Sequence, residues 1–387
     1  MTTLLTGATG FLGSRLLLAL LRREQHVTAL GRGSSTSLRA RVRAALAAVA
    51  GGDVGPREAA RLRCVGGDIT RPWLGLSPAV YGRLACEAEA VWHCAGDIAL
   101  TGERDRLLRT NVRGTAQVLE FAAATAPSCR LIHMSTIAVA GGRDAGHVGE
   151  EDLTDAYGFE THYDESKYRA EVLVRAWARR HDRSAVVLRP SVVASDTELP
   201  AGAPGHPLDV FGRLLDAVAA GGGPGMPTAA VRHRDGMRLR LCVPADASIN
   251  IVQDDYATEA MLRIGQDAPH PAPGVRTFHI VHPSETPMRL IVEAVENRYP
   301  GLSITCVGEL PDPTPAERSI ATGISGFLSY SRHTRTYGRT GTLALTGGLT
   351  DPPPVDRGYL VRALGSGTVQ GGPVPDPPLV PHTTLAL

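Results

Sequence analysis

A chain of 387 residues is long enough to bury a large core and to divide into a major and a minor unit. Its 40 Lys and Arg against 39 Asp and Glu leave a formal charge of +1, which gives no general electrostatic case for binding nucleic acid or an anionic membrane. Six cysteines without a CxxC pair suggest neither a metal site nor a disulfide framework. The longest apolar run, 16–21, is too short to cross a bilayer and no signal segment precedes it, so the expected location is the cytoplasm.

Strand-like and helix-like patterns alternate through the first half. Strands are expected ending at Leu4 and Leu5, then at 26–30, 62–65, 90–93, 130–134 and 185–188. Helices are expected at 11–23, 38–49, 111–125 and 163–180. This alternation predicts an α/β fold, a Rossmann doubly wound parallel sheet, with a smaller, mixed C-terminal substrate-binding subdomain. Residues 1–195 are read as the dinucleotide-binding part, with return segments at about 245–285. Residues 196–245 and 286–365 are read as the substrate side, and 366–387 as a loosely ordered Pro/Gly-rich tail. A short strand near 248–252, with a helix at 255–264 after it, is expected to return to the main sheet. A further strand at 277–281 and a helix at 287–298 follow. Gly and Pro crowd 200–207 and 221–227, which reads as loops over a site.

Thr6-Gly7-Ala8-Thr9-Gly10-Phe11-Leu12-Gly13 carries a GxxGxxG spacing between a strand and a helix. In that context the motif implies a dinucleotide site. Gly7 permits the tight turn, Gly10 admits a pyrophosphate to the backbone, and Gly13 lets the helix approach the strand. The helix start, with Thr9, Phe11 and Leu12, offers unpaired N–H groups. At the end of the second strand stands Leu30-Gly31-Arg32, with no acid to accept from a ribose hydroxyl. Arg32, with Arg43 on the next helix, can clamp a 2′-phosphate, so NADPH/NADP+ is favoured. Arg39, Arg41 and Arg43 also fit a solvated helix face.

Tyr163 and Lys167 form a YxxxK pair, one turn apart on a predicted helix face. Lys167 is expected to lower the Tyr163 pKa so that the phenol exchanges a proton with a substrate oxygen, and to reach the nicotinamide ribose. Upstream, Ser135 and Thr136 end a predicted strand, where ligands of such sheets bind. A hydroxyl there can hold a carbonyl oxygen, or it can simply cap a turn.

These features together resemble the extended short-chain dehydrogenase/reductase superfamily. Within it they resemble the thioester reductase branch, which includes the terminal reductase domains of peptide and polyketide synthetases and of carboxylic acid reductases. The likeness covers about residues 3–265 and fades towards 350. It rests on TGATGFLG, on Gly67-Asp68-Ile69 with the PWLGLS that follows, and on VWHCAG ending at Gly96. NVRGT from Asn111, HMST ending at Thr136, Tyr163 to Lys167 and Leu188-Arg189-Pro190 complete the set. The resemblance implies that Thr136, Tyr163 and Lys167 are catalytic, with Ser135 beside them at the cofactor. It places Asp68 and Ile69 at the adenine, Cys94, Ala95 and Gly96 along the cofactor's middle, and Pro190 and Ser191 at the nicotinamide amide. Asn111 is read as a brace.

The chain departs from the pattern after the fourth strand, where aromatic residues are missing from 95–100, and at Glu160-Thr161-His162 before the tyrosine. His133 and His162 are read as hydrogen-bonding neighbours and Cys94 as packing. The run Arg232, His233, Arg234, Arg238 and Arg240 fits either a solvated loop or a dock for an acidic carrier protein or a phosphopantetheine phosphate. No adenylation or carrier domain fits in these residues, so a thioester substrate is expected on a separate acyl or peptidyl carrier protein or on coenzyme A. The resulting expectation is NADPH-dependent reduction of an acyl thioester to an aldehyde, and in a second round to an alcohol. The rivals are a short-chain dehydrogenase acting on a free ketone, aldehyde, alcohol or nucleotide sugar, and a non-catalytic NADP-binding sensor.

Overall fold

The computed structural model describes residues 1–200, 203–219, 237–267 and 273–365. Seven parallel strands form its central sheet: β1 (Thr2–Thr6), β2 (His26–Gly31), β3 (Leu62–Gly66), β4 (Ala90–His93), β5 (Arg130–Met134), β6 (Ser184–Pro190) and β7 (Gly274–Ile280). Their order is β7-β6-β5-β4-β1-β2-β3. The chain therefore winds outward in both directions from a switch point between β1 and β4. Crevices at the strand C-termini of such a point are where doubly wound sheets bind ligands.

Both faces of the sheet are covered, so its strands read as nearly continuous apolar runs. Side chains alternate between the two sides. Leu5, Trp92 and Ile132 pack with Leu16, Leu20 and Leu21 of helix α1 (Phe11–Arg22) and Val42 and Leu46 of α2 (Ser35–Ala50). Leu4, Val91 and Leu131 pack on the opposite side, with Val118 and Phe121 of α3 (Gly114–Ala123) and Val174 and Trp177 of α4 (His162–His181). The 111–125 helix starts differently from expectation, because a π-helical segment, Leu108–Arg113, precedes α3. Asn111 lies in that segment.

The stretch near 248–252 does not return to the main sheet. Ser248–Ile249 pairs antiparallel with Thr286–Pro287, while Ile251–Gln253 runs parallel to Val192–Ala194. The cause is Asn250, whose amide accepts from the His282 N–H at 2.9 Å and donates to the His282 carbonyl at 3.0 Å. This side-chain clasp separates the two short strands. The edge position is instead taken by β7, along β6. A parallel pair of Met237–Cys242 and Leu302–Val307 adds a further ladder. Residues 201–202 of the 200–207 loop, the stretch 221–227, Arg232, His233, Arg234 and the tail 366–387 lie outside the described residues. No described helix is long and apolar enough to cross a membrane.

Candidate functional site

The glycine loop closes tightly on itself and on its neighbour across the switch point. Gly7 has φ +79°, and a Cβ there would meet the backbone of Cys94 and Ala95 at 2.7 Å. A Cβ on Gly13 would stand 2.0 Å from the Gly7 carbonyl oxygen. Gly10 donates to that same oxygen at 2.9 Å and forms the N-cap of α1 without any side-chain cap. The first N–H groups of α1 therefore have no capping side chain, which leaves them suited to anionic oxygens. Thr6, which opens the glycine motif and was given no role in the sequence, fixes the facing loop. Its hydroxyl accepts from the Ala95 N–H at 3.1 Å and pairs with His93 Nδ1 at 3.0 Å. Asn111 accepts from the Asp97 N–H at 2.7 Å and donates to Ser166 Oγ at 2.8 Å, the bracing role read for it.

Thr136, Tyr163 and Lys167 converge at the C-terminal end of β5. The Lys167 ammonium donates to the Met134 carbonyl at 2.6 Å, and Thr136 lies close enough to the Tyr163 phenol to pull its pKa down. Thr136 is extended, and its hydroxyl also accepts from the Ala138 N–H at 3.2 Å. The electrostatics differ from expectation. Burial and the neighbouring Asp164 carboxylate hold the Tyr163 phenol above its ordinary range, against a downward pull from Thr136. Burial lowers Lys167 to about 8, opposed by Glu171 and Cys94. Lys167 is turned to the strand carbonyl, and it is not among the groups that shift Tyr163 here.

Asp164 anchors the helix start that presents Tyr163. It forms a capping box with Thr161 and accepts from the Tyr330 hydroxyl. Burial raises its pKa to about 6, the hydrogen bonds from Tyr330 and Thr161 opposing.

Ser135 is committed elsewhere. Its hydroxyl donates to Glu171 Oε2 at 2.9 Å, and Glu171 also takes two hydrogen bonds from Arg189, at 3.0 and 2.6 Å. The side chains of Glu171 and Arg189 are 0% and 1% exposed, so the charges are paired in a site closed to water. The structure thus gives the Ser135 side chain a protein partner. Glu171 lies one helical turn beyond Lys167, and that spacing was the signal for it in the sequence.

After β3, Asp68 Oδ1 accepts from the Thr70 N–H and hydroxyl at 2.9 and 2.8 Å, and Ile69 is buried below α3. Trp73 and Leu74 have φ of 59° and 57°, a left-handed turn rare for residues with side chains. Burial of Leu74 and a 2.7 Å bond from the Asp68 N–H to the Leu74 carbonyl hold it. Arg32, Arg39, Arg41 and Arg43 are all exposed. Arg41, not Arg43, folds back to donate to the Arg32 carbonyl. Arg43 stands eight residues into α2 from Ser35, about 12 Å along its axis.

Pro190 and Ser191 close the far side. The Ser191 N–H donates to the Ile280 carbonyl at 3.0 Å, but its buried hydroxyl has no partner among the described residues. The glycine cradle and this orphaned hydroxyl fit the phosphates and the amide of a dinucleotide. Burial pushes the Cys94 thiol up to about 12, which accords with packing rather than nucleophilic chemistry. His133 is buried 5.3 Å from the His93 ring, without a hydrogen-bond partner among the described residues, so the neighbour expected for it is not seen. The His162 side chain is 57% exposed, 3.9 Å from Glu165. Of the basic run, Arg238 is exposed, whereas Arg240 is held by Glu317 through its backbone N–H and guanidinium.

Residues 5–251 match the NAD-binding family described as male sterility protein, and the chain belongs to that family. It is an oxidoreductase of the extended short-chain dehydrogenase/reductase type, built for a nicotinamide cofactor. The nonribosomal peptide synthetase-like enzyme fsqF of Aspergillus fumigatus is 32% identical over 204 residues, half of this chain and 13% of that protein. Among solved structures, the terminal R domain from the myxalamid PKS-NRPS biosynthetic pathway superposes with TM-score 0.73 at 24% identity, covering 94% of this chain and 90% of that one. A thiolation-reductase di-domain from an archaeal nonribosomal peptide synthetase gives 0.67 at 20%, covering 94% and 74%. At these identities the structures establish a shared fold.

Proposed function

We propose that this chain is an NADPH-dependent reductase of acyl thioesters, presented on an acyl or peptidyl carrier protein or on coenzyme A and released as aldehydes. The observation that carries the reading is the convergence of Thr136, Tyr163 and Lys167 at the end of β5, beside the glycine cradle. The likeness to a synthetase-like enzyme and to a thiolation-reductase di-domain supports a carrier-borne substrate. Residues 1–195 and 245–285 are assigned to the cofactor, and 196–245 with 286–365 to the substrate. An apolar cluster of Leu208, Ile291, Val295 and Leu360 with Ala194 and Ile251 joins the two parts.

In this reading Gly7, Thr9, Gly10, Phe11, Leu12 and Gly13 hold the pyrophosphate, and Arg32 with Arg41 holds the 2′-phosphate. Asp68 and Ile69 border the adenine, the Cys94–Ala95–Gly96 loop lies along the middle, and Pro190 and Ser191 meet the amide. The bound cofactor supplies hydride to the carbonyl carbon. Thr136 and Tyr163 donate to the carbonyl oxygen, and Tyr163 passes its proton to the developing oxyanion. Lys167 holds α4 to the end of β5 through the Met134 carbonyl and is the cation assigned to the ribose. As the hemithioacetal C–S bond breaks, Tyr163 takes that proton back, the aldehyde leaves, and the sulfur departs as a thiolate that takes its proton from water. A second round protonates the aldehyde oxygen and yields an alcohol.

Turnover of an acyl-coenzyme A and of a carrier-bound acyl thioester, compared with free ketones, aldehydes and nucleotide sugars, tests the substrate class. Oxidation of NADPH with the free compounds alone would replace the thioester reading. Tyr163→Phe is expected to abolish turnover while keeping NADPH binding. Thr136→Val should lower kcat by about 100-fold, as loss of an oxyanion donor does, with Thr136→Ser largely active.

A further inference from the structure

Beside the turn that leads into α4, the stretch after β5 and the C-terminal segment meet at Asp144, Glu160 and His333. One donor atom from each lies within 4.8 Å of the others. His333 is 3% exposed, and its Nε2 has no hydrogen-bond partner among the described residues. Its nearest carboxylate oxygen, Glu160 Oε1, stands at 3.6 Å. That gap is too long for a hydrogen bond. Two ligands about 2.1 Å from a tetrahedral ion stand about 3.4 Å apart, which is close to it.

Two carboxylates drawn together beside a buried imidazole repel one another unless a cation joins them. Three arginines stand nearby, and each is engaged elsewhere. Arg335 donates to the carbonyls of Gly141 and Arg143 and to the Tyr337 hydroxyl. Arg143 turns to the Ala145 and His147 carbonyls and to Asp152, and Arg332 to Cys242 Sγ. Among the described residues no guanidinium pairs with Asp144 or Glu160. The backbone is already registered, since the Thr334 N–H donates to the Asp144 carbonyl at 2.8 Å and the Thr336 N–H to Gly146 at 3.0 Å.

We propose that Asp144, Glu160 and His333 form a divalent-cation site, best matched to zinc, that fastens the C-terminal segment to the start of α4. One nitrogen and two oxygen donors suit zinc, with water as the fourth ligand. Glu160 directly precedes the N-cap Thr161, so the ion braces the turn that presents Tyr163. The site is independent of the thioester reading.

The full-length chain, stripped with a chelator, is titrated with zinc alone by calorimetry and followed by thermal unfolding. One zinc per chain and a rise in Tm are expected. Asp144→Asn and Glu160→Gln, both at exposed positions, should each weaken binding by at least about 10-fold without lowering the Tm of the metal-free chain. Even loss of an outer-shell partner costs that much. His333→Gln should do the same, and the two surface variants stand as the test if it misfolds. Absence of saturable binding, or parental affinity in both surface variants, would overturn the site. So would a thiolate charge-transfer band on cobalt substitution, which would assign the metal to cysteines.

Discussion

The Lys167 ammonium lies 2.6 Å from the Met134 carbonyl oxygen and ties the middle of α4 to the last residue of β5. This bond sets the distance between the helix that carries Tyr163 and the strand end that carries Thr136. Folded Lys167 releases its proton at about pH 8, mainly because it is buried, whereas the unfolded residue keeps it up to its ordinary 10.5. Between those values the unfolded chain binds more protons, so this group makes stability rise with pH. The contribution is about 3 kcal/mol at about 1.4 kcal/mol per pH unit. Urea unfolding from pH 7 to 10.5 should show it as a wild-type gain over Lys167→Met. A difference flat in pH would refute it.

The glycine cradle predicts a sharp contrast. Gly13→Ala drives a methyl into the Gly7 carbonyl and should remove NADPH binding. Gly52→Ala meets nothing within 4 Å and should bind as the parent does. Fluorescence titration of both variants with NADPH checks this.

The exposed pair Arg32 and Arg41 should set the preference for phosphate. Replacing both by Ala should weaken NADPH by about 10- to 100-fold, the worth of charge-assisted hydrogen bonds. NADH binding should stay within a few-fold, and equal losses for the two cofactors would place the phosphate elsewhere.

Glu171 and Arg189 form a closed ion pair. Glu171→Leu leaves a buried guanidinium without its partner and should cost about 3–5 kcal/mol of stability. Arg189→Leu should cost less, because Glu171 keeps a hydrogen bond from Arg175 at 3.2 Å. The double variant should lose less than the sum, because the second change removes the stranded charge. Chemical denaturation of the four proteins measures the coupling.

The central sheet was legible because burial on both faces writes its strands as short apolar runs between glycine-rich turns. The glycine loop and the Tyr163–Lys167 pair were legible because their chemistry depends on local spacing. What escaped depends on contacts between distant segments. Met237–Cys242 alternates with arginines, and its pairing partner lies some 60 residues on. Asn250 splits the stretch around it only through its clasp on His282. The hydrogen bond from the Ser135 hydroxyl to Glu171, itself held by Arg189 from a neighbouring strand, could not be read from local spacing. Lys167 was expected to act on Tyr163 by charge alone, whereas desolvation, a property of the packed fold, dominates both groups.

The left-handed turn at Trp73 also gives the protein an optical handle. Of three tryptophans, Trp92 and Trp177 are 0% and 6% exposed, while Trp73 is 50% exposed on the loop that follows Asp68 and Ile69. An aqueous quencher would silence Trp73 first and leave the interior pair bright. Its emission therefore reports on the turn after β3, beside Tyr81 and Gln117, without any attached dye.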